Sequence, residues 1–154
     1  MLLEDSLIMI KKYFLFLFEQ YNFRIVFVKE FRLDHYSVGL ESKNCRILFY
    51  RELSGWNIFI GTLTSDFENE IGDWVLFENL LFYLTKKEIN KSSFSGKSYK
   101  ERVIASLEDT AAEFEPLAKQ IIKMFSSSEE KSRWKAEYDK LIREETQRRY
   151  PSKR

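Results

Sequence analysis

The sequence predicts an α+β protein with an N-terminal helix, a four-stranded antiparallel meander and then several C-terminal helices. Four short runs rich in Val, Ile, Phe and Tyr follow one another between residues 23 and 64. The flanking segments repeat apolar residues every three or four positions, as one face of a helix does. The breaks between the runs are too short for the crossover connections of parallel strands, so we expect consecutive strands to be antiparallel.

Composition bounds the class of protein. A chain of 154 residues has the size of one compact domain. Its formal net charge of +1 creates no overall field that would point to nucleic acid or to an anionic membrane. The single cysteine, Cys45, excludes an internal disulfide and fits a reducing cytoplasm. No apolar run approaches the roughly 20 residues of a spanning helix. We therefore expect a cytoplasmic protein with no membrane partner.

The first helix is predicted over residues 5–21. Asp5 or Ser6 is expected to cap it, because short polar side chains accept hydrogen bonds from the first free N–H groups. Apolar residues at spacings of three and four form its buried face, namely Leu7, Ile10, Phe14, Leu17 and Tyr21. Phe16 and Phe18 fall partly off this stripe. We expect the same core to bury them, rather than a second surface or a partner.

The four strands are predicted at residues 23–28, 36–40, 46–50 and 56–60. In the first strand both alternating sets are apolar, with Ile25 and Phe27 on one face and Val26 and Val28 on the other. A strand of this kind is typical of positions that are covered on both faces. The first strand is therefore expected to be central or covered on both sides.

Residues 64–73 are acidic and turn-like, and their carboxylates have no basic residue among them: Asp66, Glu68, Glu70 and Asp73. Asp73 is expected to cap a second helix. The buried face of that helix is predicted as Trp74, Phe77, Leu80, Leu81 and Leu84. Repulsion among the carboxylates offers no folding benefit beyond the cap. The segment is therefore either a solvated loop or a docking surface for a basic partner, formed by Asp66, Phe67, Glu68 and Glu70.

Further helices are predicted after residue 97. The sequence from Ser98 to Glu101 matches a capping box. A helical stripe then follows through Val103, Leu107, Phe114, Leu117, Ile121 and Phe125. Pro116 interrupts this stripe and predicts a kink or two abutting helices. After the serines at 126–128, Ser128 is expected to cap a last helix.

We place a boundary after residue 126, so that 1–126 form the α+β domain and 127–154 form a charged helix with a basic tail. In this helix a narrow apolar seam runs through Trp134, Tyr138, Leu141 and Ile142. The seam packs either on the domain or on another chain, and its narrowness favours the second. Trp134, Tyr138 and Leu141 are therefore predicted to bind a partner. The tail at 148–154 is either frayed or in contact with phosphate.

No catalytic, metal or cofactor motif is recognisable. His35 and Cys45 are predicted on neighbouring strands, but no third orienting group accompanies them. One histidine and one cysteine supply too few ligands for a zinc site. The glycines are isolated, so they form no phosphate-binding loop. We predict no catalytic residue, no metal ligand and no cofactor.

The order of helix, meander and helix in the N-terminal half resembles that of small bacterial immunity and antitoxin proteins. The residues that carry the likeness are 21–23, Val38, 47–50, 56–60 and 74–84. The resemblance implies a non-enzymatic protein that covers a partner's active site, often with acidic residues against a nuclease. The expected partner is a protein, either a basic toxin or a larger complex. The alternatives are a nucleic-acid-associated accessory protein that uses the last helix and basic tail, and an enzyme without a recognisable motif.

Overall fold

The computed structural model describes residues 2–32, 34–53, 55–89 and 97–151. It confirms the α+β class, since an antiparallel sheet is preceded and followed by helices along the chain. The helices are α1 (Leu3–Tyr13), α2 (Leu15–Gln20), α3 (Phe77–Thr85), α4 (Tyr99–Phe114), α5 (Ala118–Met124) and α6 (Ser128–Arg149). The strands are β1 (Arg24–Arg32), β2 (His35–Glu41), β3 (Arg46–Glu52), β4 (Gly55–Gly61) and β5 (Val75–Leu76). Within the described residues, no helix has both the length and the apolar character needed to cross a bilayer.

The sheet has the strand order β1-β2-β3-β4-β5, and each strand is antiparallel to its neighbours. The predicted four-stranded meander is confirmed. The short strand β5 was not predicted, because its two residues were assigned to the second helix. They pair instead with Phe59 and Ile60 of β4. Helix α3 consequently begins only at Phe77, and Leu76 occupies its N-cap position without a side-chain cap. The prediction that Asp73 caps this helix is wrong.

Strand β1 lies at the edge of the sheet, so the prediction of a central or doubly covered strand is wrong. Val26 and Val28 are each 42% exposed. The pairing with β2 shifts register between Ile25 and Phe27 and again near Phe31. Such bulges are common at sheet edges, where they limit pairing with other chains. Branched apolar residues suit any pleated strand, so their presence does not distinguish an edge from a centre.

One face of the sheet carries the main core. Strand register places its inward-facing residues side by side, as in the pairs Val38–Phe49 and Phe49–Ile58. Helices cover this face, and the ring of Phe114 lies 4.9 Å from Phe77 and 6.0 Å from Phe14. Phe16 is buried in the same cluster and Phe18 packs against it, which confirms their expected burial in one core. We call this side of the sheet the helix side.

The start of α1 differs from the prediction. Leu2 occupies the N-cap position, and no side chain caps the helix, so the expectation that Asp5 or Ser6 does so is wrong. Ser6 is instead buried one turn inside the helix, where its hydroxyl hydrogen-bonds the hydroxyl of Tyr36 on β2. Ser6, which was predicted as a cap because of its capping propensity, thus makes a tertiary contact instead.

The later helix boundaries follow local signals closely. Ser98 caps α4 by accepting a hydrogen bond from the backbone N–H of Glu101 at 3.2 Å, as predicted. A 3₁₀ turn containing Pro116 separates α4 from α5, which confirms the predicted interruption. The cap of α6 is Ser127 rather than Ser128, because the Ser127 side chain accepts from the third backbone N–H that follows it.

Candidate functional site

The face of the sheet opposite the helices, which we call the back face, is covered by the loop between β4 and β5. This loop, residues 62–74, contains the acidic segment, and we call it the acidic loop. Leu48 of β3 points to the back face, since its neighbours in β3 face the helix side, and it is nevertheless fully buried. The acidic loop therefore acts as a second layer of the fold.

Phe67 anchors the acidic loop to the sheet. Its ring stacks on Phe27 of β1 with a centroid distance of 5.3 Å and an interplanar angle of 8°. Trp74 packs beside it at 5.5 Å, and the guanidinium carbon of Arg46 lies 4.7 Å from the Phe67 centroid. Gly39 makes room for this ring, because a Cβ there would lie only 2.5 Å from Phe67 Cε1. Phe67, predicted as an exposed contact, is instead a partly buried anchor.

Hydrogen bonds fix the shape of the acidic loop. The Ser65 hydroxyl donates to the carbonyl of Asp73 at 2.7 Å and accepts from the N–H of Thr62 at 3.0 Å. The Trp74 indole N–H donates to the carbonyl of Asp66 at 2.9 Å. Since both ends of the loop are held to each other and to the sheet, its outer turn is presented in a defined conformation.

Three of the four carboxylates make contacts within the fold. Glu68 pairs with Lys29 of β1 at 2.6 Å, and Asp73 pairs with Lys131 of α6 at 2.5 Å. Asp66 accepts a hydrogen bond from the N–H of Glu68 at 2.9 Å, which shapes the turn. The expectation that these charges offer no folding benefit beyond a helix cap is therefore wrong. The paired lysines lie far from the segment in sequence, so inspection of the segment alone missed them.

Beside the loop, an aromatic cluster lies at the end of β1. The ring of Phe31 is 45% exposed and contacts His35 at 5.0 Å, and His35 Nε2 hydrogen-bonds the hydroxyl of Tyr50 at 2.6 Å. Burial raises the pKa of the Tyr50 hydroxyl, and the negative charge of nearby Glu70 raises it further. Lys29 connects this cluster to the loop, because its ammonium lies 5.2 Å from the Phe31 ring.

The outer turn of the loop carries Ile71. This side chain is 88% exposed, more than any other large apolar side chain that the structure describes. It follows Glu70 and stands between two acidic residues in the chain. Sequence reasoning missed Ile71. The available signal was an isolated isoleucine in an acidic turn, where no apolar periodicity predicts its burial. An exposed apolar residue surrounded by charged residues is the arrangement found at the centre of small binding surfaces.

The seam of α6 packs within the same chain. Trp134 and Tyr138 are 8% and 7% exposed, and the Trp134 indole N–H donates to the carbonyl of Met124 at 3.0 Å. The Trp134 ring contacts Phe125, which follows α5, and the Tyr138 ring contacts Tyr83 of α3. This corrects the expectation that Trp134 and Tyr138 face another chain. Leu141 is partly buried, and its role in partner binding stays a prediction, as does the boundary after residue 126.

The described part of the basic tail is paired with acidic residues of the same chain. Arg148 and Arg149 both bond Glu145, and Arg149 also pairs with Glu88 beyond α3. The hydrogen bond from Arg148 is the largest cause that lowers the pKa of Glu145 to about 2. Residues 152–154 lie outside the described residues. Contact of this tail with phosphate would have to compete with these ion pairs.

His35 and Cys45 do not meet. His35 begins β2, whereas Cys45 immediately precedes β3, whose first residue pairs with Glu41 at the far end of β2. Six residues of extended strand separate the two sites by roughly 20 Å. Cys45 is fully buried, and burial raises its pKa to about 12, so the thiol is protonated at neutral pH. Among the described residues, no group of three His, Cys, Asp or Glu side chains is placed to hold a metal ion.

Comparisons of the chain with known protein families, with curated proteins and with solved structures find no match. The fold and the surface around the acidic loop define the structural class of the protein. That class is an α+β protein whose sheet is covered by helices on one side and by an acidic loop on the other.

Proposed function

We propose that this protein is a non-enzymatic binding protein whose acidic loop docks onto a basic protein partner. One observation carries the proposal: the loop is anchored from beneath by Phe67 and Trp74 while its outer turn presents Ile71 to solvent. A pre-organised loop loses little conformational freedom on binding, so more of its contact energy is retained as affinity. An unanchored solvated loop would lack this advantage.

The charge of the loop indicates the chemistry of the partner. Lys29 and Lys131 neutralise two of the carboxylates, whereas Asp66 and Glu70 have no ion pair with any residue that the structure describes. Glu70 immediately precedes Ile71 and Asp66 lies five residues before it, so the outer turn carries negative charge. A surface rich in Lys or Arg complements it, because opposite potentials speed encounter and disfavour wrong partners.

Occlusion is the activity that such a surface suits. An inhibitor that covers an active site needs a rigid surface of complementary charge and no catalytic group of its own. We therefore propose a basic enzyme or toxin as the partner, in the manner of bacterial immunity and antitoxin proteins, and the cytoplasm as the place of action. The nucleic-acid alternative is not favoured, because Arg148 and Arg149, the described cations of the basic tail, are paired with Glu145 and Glu88.

The first test is capture of partners from the native host with three baits. These are the wild-type chain, a loop variant and a matched control. The loop variant is Asp66→Asn, Glu70→Gln, Ile71→Ser. The control is Glu108→Gln, Glu144→Gln, Ile8→Ser, which removes the same groups from exposed positions on other elements. We expect mass spectrometry to find a basic protein that the wild type and the control retain and the loop variant loses. Identical captures by all three baits would contradict the proposal.

The second test measures binding kinetics with the captured partner. Asp66→Asn with Glu70→Gln should slow association and flatten its dependence on salt, because the Debye length is only about 8 Å at physiological ionic strength. Ile71→Ser should act on dissociation and weaken Kd about tenfold, which corresponds to about 1.4 kcal/mol. Unchanged rates in both variants would identify the acidic loop as an ordinary part of the fold.

A further inference from the structure

A second feature lies on the helix side of the sheet, separate from the acidic loop. A cleft of about 410 Å³ opens between the start of β4 and one face of α4. It is lined by aromatic, cationic, polar and apolar residues, among them Trp56, Tyr99, Arg102, Val103 and Ser106. The proposed function makes no use of this cleft.

Arg51 lies directly behind the wall of the cleft. It is fully buried, and its Nη1 donates to the carbonyls of Glu52 and Gly55. Its Nε has no hydrogen-bond partner, and no carboxylate of the described residues lies within ion-pair distance. The guanidinium carbon lies 6.0 Å from the Trp56 ring and 5.6 Å from the Tyr99 ring. A buried cation without a counter-ion is costly, so it favours an anion nearby.

Tyr99 connects Arg51 to the cleft through a hydrogen bond. Arg51 Nη2 donates to the Tyr99 hydroxyl oxygen at 2.9 Å, which leaves the phenolic proton free to be donated elsewhere. A hydroxyl that accepts from a cation is itself a stronger donor, because hydrogen bonds in a chain polarise one another. Tyr99 is 40% exposed and lines the cleft, so its proton has access to a ligand there.

Arg102 supplies a second donor at the same end of the cleft. It follows Tyr99 by three residues on α4, which places both side chains on one face of the helix. Arg102 forms no ion pair with any residue in the described ranges, and it is exposed. A planar guanidinium beside a hydroxyl donor suits the two oxygens of a carboxylate or the several oxygens of a phosphate.

The carboxylate of α4 that lines the cleft lies away from this end. Asp109 is seven residues beyond Arg102 on α4, and at 1.5 Å per residue the separation along the axis is about 10 Å. Glu78 enters the cleft from α3. A small anion held by Tyr99 and Arg102 is thus not forced against Asp109. Trp56 and Val103 supply apolar lining that can contact an uncharged ring or chain.

We propose that this cleft binds a small organic anion, with the oxyanion held by Tyr99 and Arg102 and the apolar part against Trp56. The ligand carries a carboxylate or a phosphate group on an apolar body. Arg51 acts as a positioning residue, since it orients the Tyr99 hydroxyl without reaching the ligand. The inference concerns a different face of the molecule and does not depend on the proposed function.

The test is an NMR titration of the labelled full chain with defined probes. Benzoate and phenyl phosphate represent the two oxyanions, inorganic phosphate lacks the apolar body, and benzyl alcohol lacks the charge. We expect saturable shifts of the Trp56 indole and the Arg102 amide with benzoate or with phenyl phosphate, and none with benzyl alcohol. The stronger of the two anions identifies the chemical source of the ligand. Absence of saturation by every probe at millimolar concentration would overturn the proposal.

Variants then locate the contact. Arg102→Gln and Tyr99→Phe should each weaken the best probe about tenfold, which corresponds to about 1.4 kcal/mol. Lys100→Gln is the matched control, because it removes a neighbouring exposed cation of α4 that does not line the cleft. The control should bind as the wild type does. Equal weakening by Lys100→Gln and Arg102→Gln would show attraction to the general surface charge and would overturn the specific site.

Discussion

The two faces of the sheet are covered in different ways. On the helix side, several helices share one aromatic and aliphatic core, in which the ring of Phe114 contacts Phe14 between α1 and α2, Phe16 of α2 and Phe77 of α3. On the back face, one loop covers the sheet through Phe67 and Trp74. The helix side therefore carries most of the stability. The back face uses few anchors, which leaves the outer turn of the acidic loop free for another role.

The largest effect is expected from Phe114→Ala on the helix side. Phe114 is fully buried, and its removal leaves a cavity among Phe14, Phe16 and Phe77. We expect the free energy of unfolding to fall by about 3–5 kcal/mol, as for other buried phenylalanines. Urea denaturation measures this change. A loss below about 1 kcal/mol would mean that Phe114 is not closely packed in the core of the helix side.

The next effect is expected from Gly39→Ala on the back face. The added Cβ would lie 2.5 Å from Phe67 Cε1 and 2.9 Å from Phe27 Cβ, so the anchor of the acidic loop must move. We expect a loss of about 1–3 kcal/mol. Hydrogen exchange should increase in residues 62–74 and remain unchanged in α4. In a Phe67→Ala background the same methyl should cost less, and simple additivity of the two changes would contradict the close contact.

A smaller effect is expected where the two faces are joined, at the ion pair of Asp73 and Lys131. Asp73→Asn leaves the buried ammonium of Lys131 charged and without its partner. Because Asp73 itself is exposed, we expect a loss of about 1 kcal/mol or less. Lys131→Met removes the charge and keeps the apolar stem, so it should cost less than Asp73→Asn. The opposite order in urea denaturation would show that this pair does not hold the loop to α6.

The smallest effect concerns Glu145 at the end of α6. Arg148 and Arg149 hold its pKa at about 2, below the ordinary 4.5. The lowered folded-state pKa means that the carboxylate stabilises the fold above the ordinary pKa, and that this contribution is lost as pH falls from about 4.5 to about 2. Glu145→Gln should therefore reduce the protection of the last turn of α6 from hydrogen exchange at pH 6, and by clearly less at pH 2. Equal protection in both proteins at pH 6 would contradict the pairing.

Local signals in the sequence determined much of the secondary structure. The meander, the Ser98 cap and the break at Pro116 follow from residues within a few positions of each feature, and all three are confirmed. Strand propensity and alternation are local properties as well. They could not assign β1 to the edge, because edge or centre depends on which strands pair with it.

The candidate surface around the acidic loop was also predicted only in part. The sequence by itself identified Asp66, Glu68 and Glu70 as an unusual group of charges, since charge needs no partner to be recognised. Only the tertiary structure showed that Phe67 is an anchor and that Ile71 is left exposed. The space for the Phe67 ring is provided by Gly39, and the lysines that neutralise part of the charge come from other elements.

The apolar seam of α6 illustrates why some features could be predicted from the sequence and others could not. Its spacing correctly predicts that one face of the helix is apolar and needs cover, because the periodicity of a helix is a local property. Trp134 packs against Tyr83 of α3, which is far from it in sequence, and against Phe125, which follows α5. A local pattern determines what must be buried. The choice between the same chain and another chain depends on long-range packing, which only the tertiary structure decides.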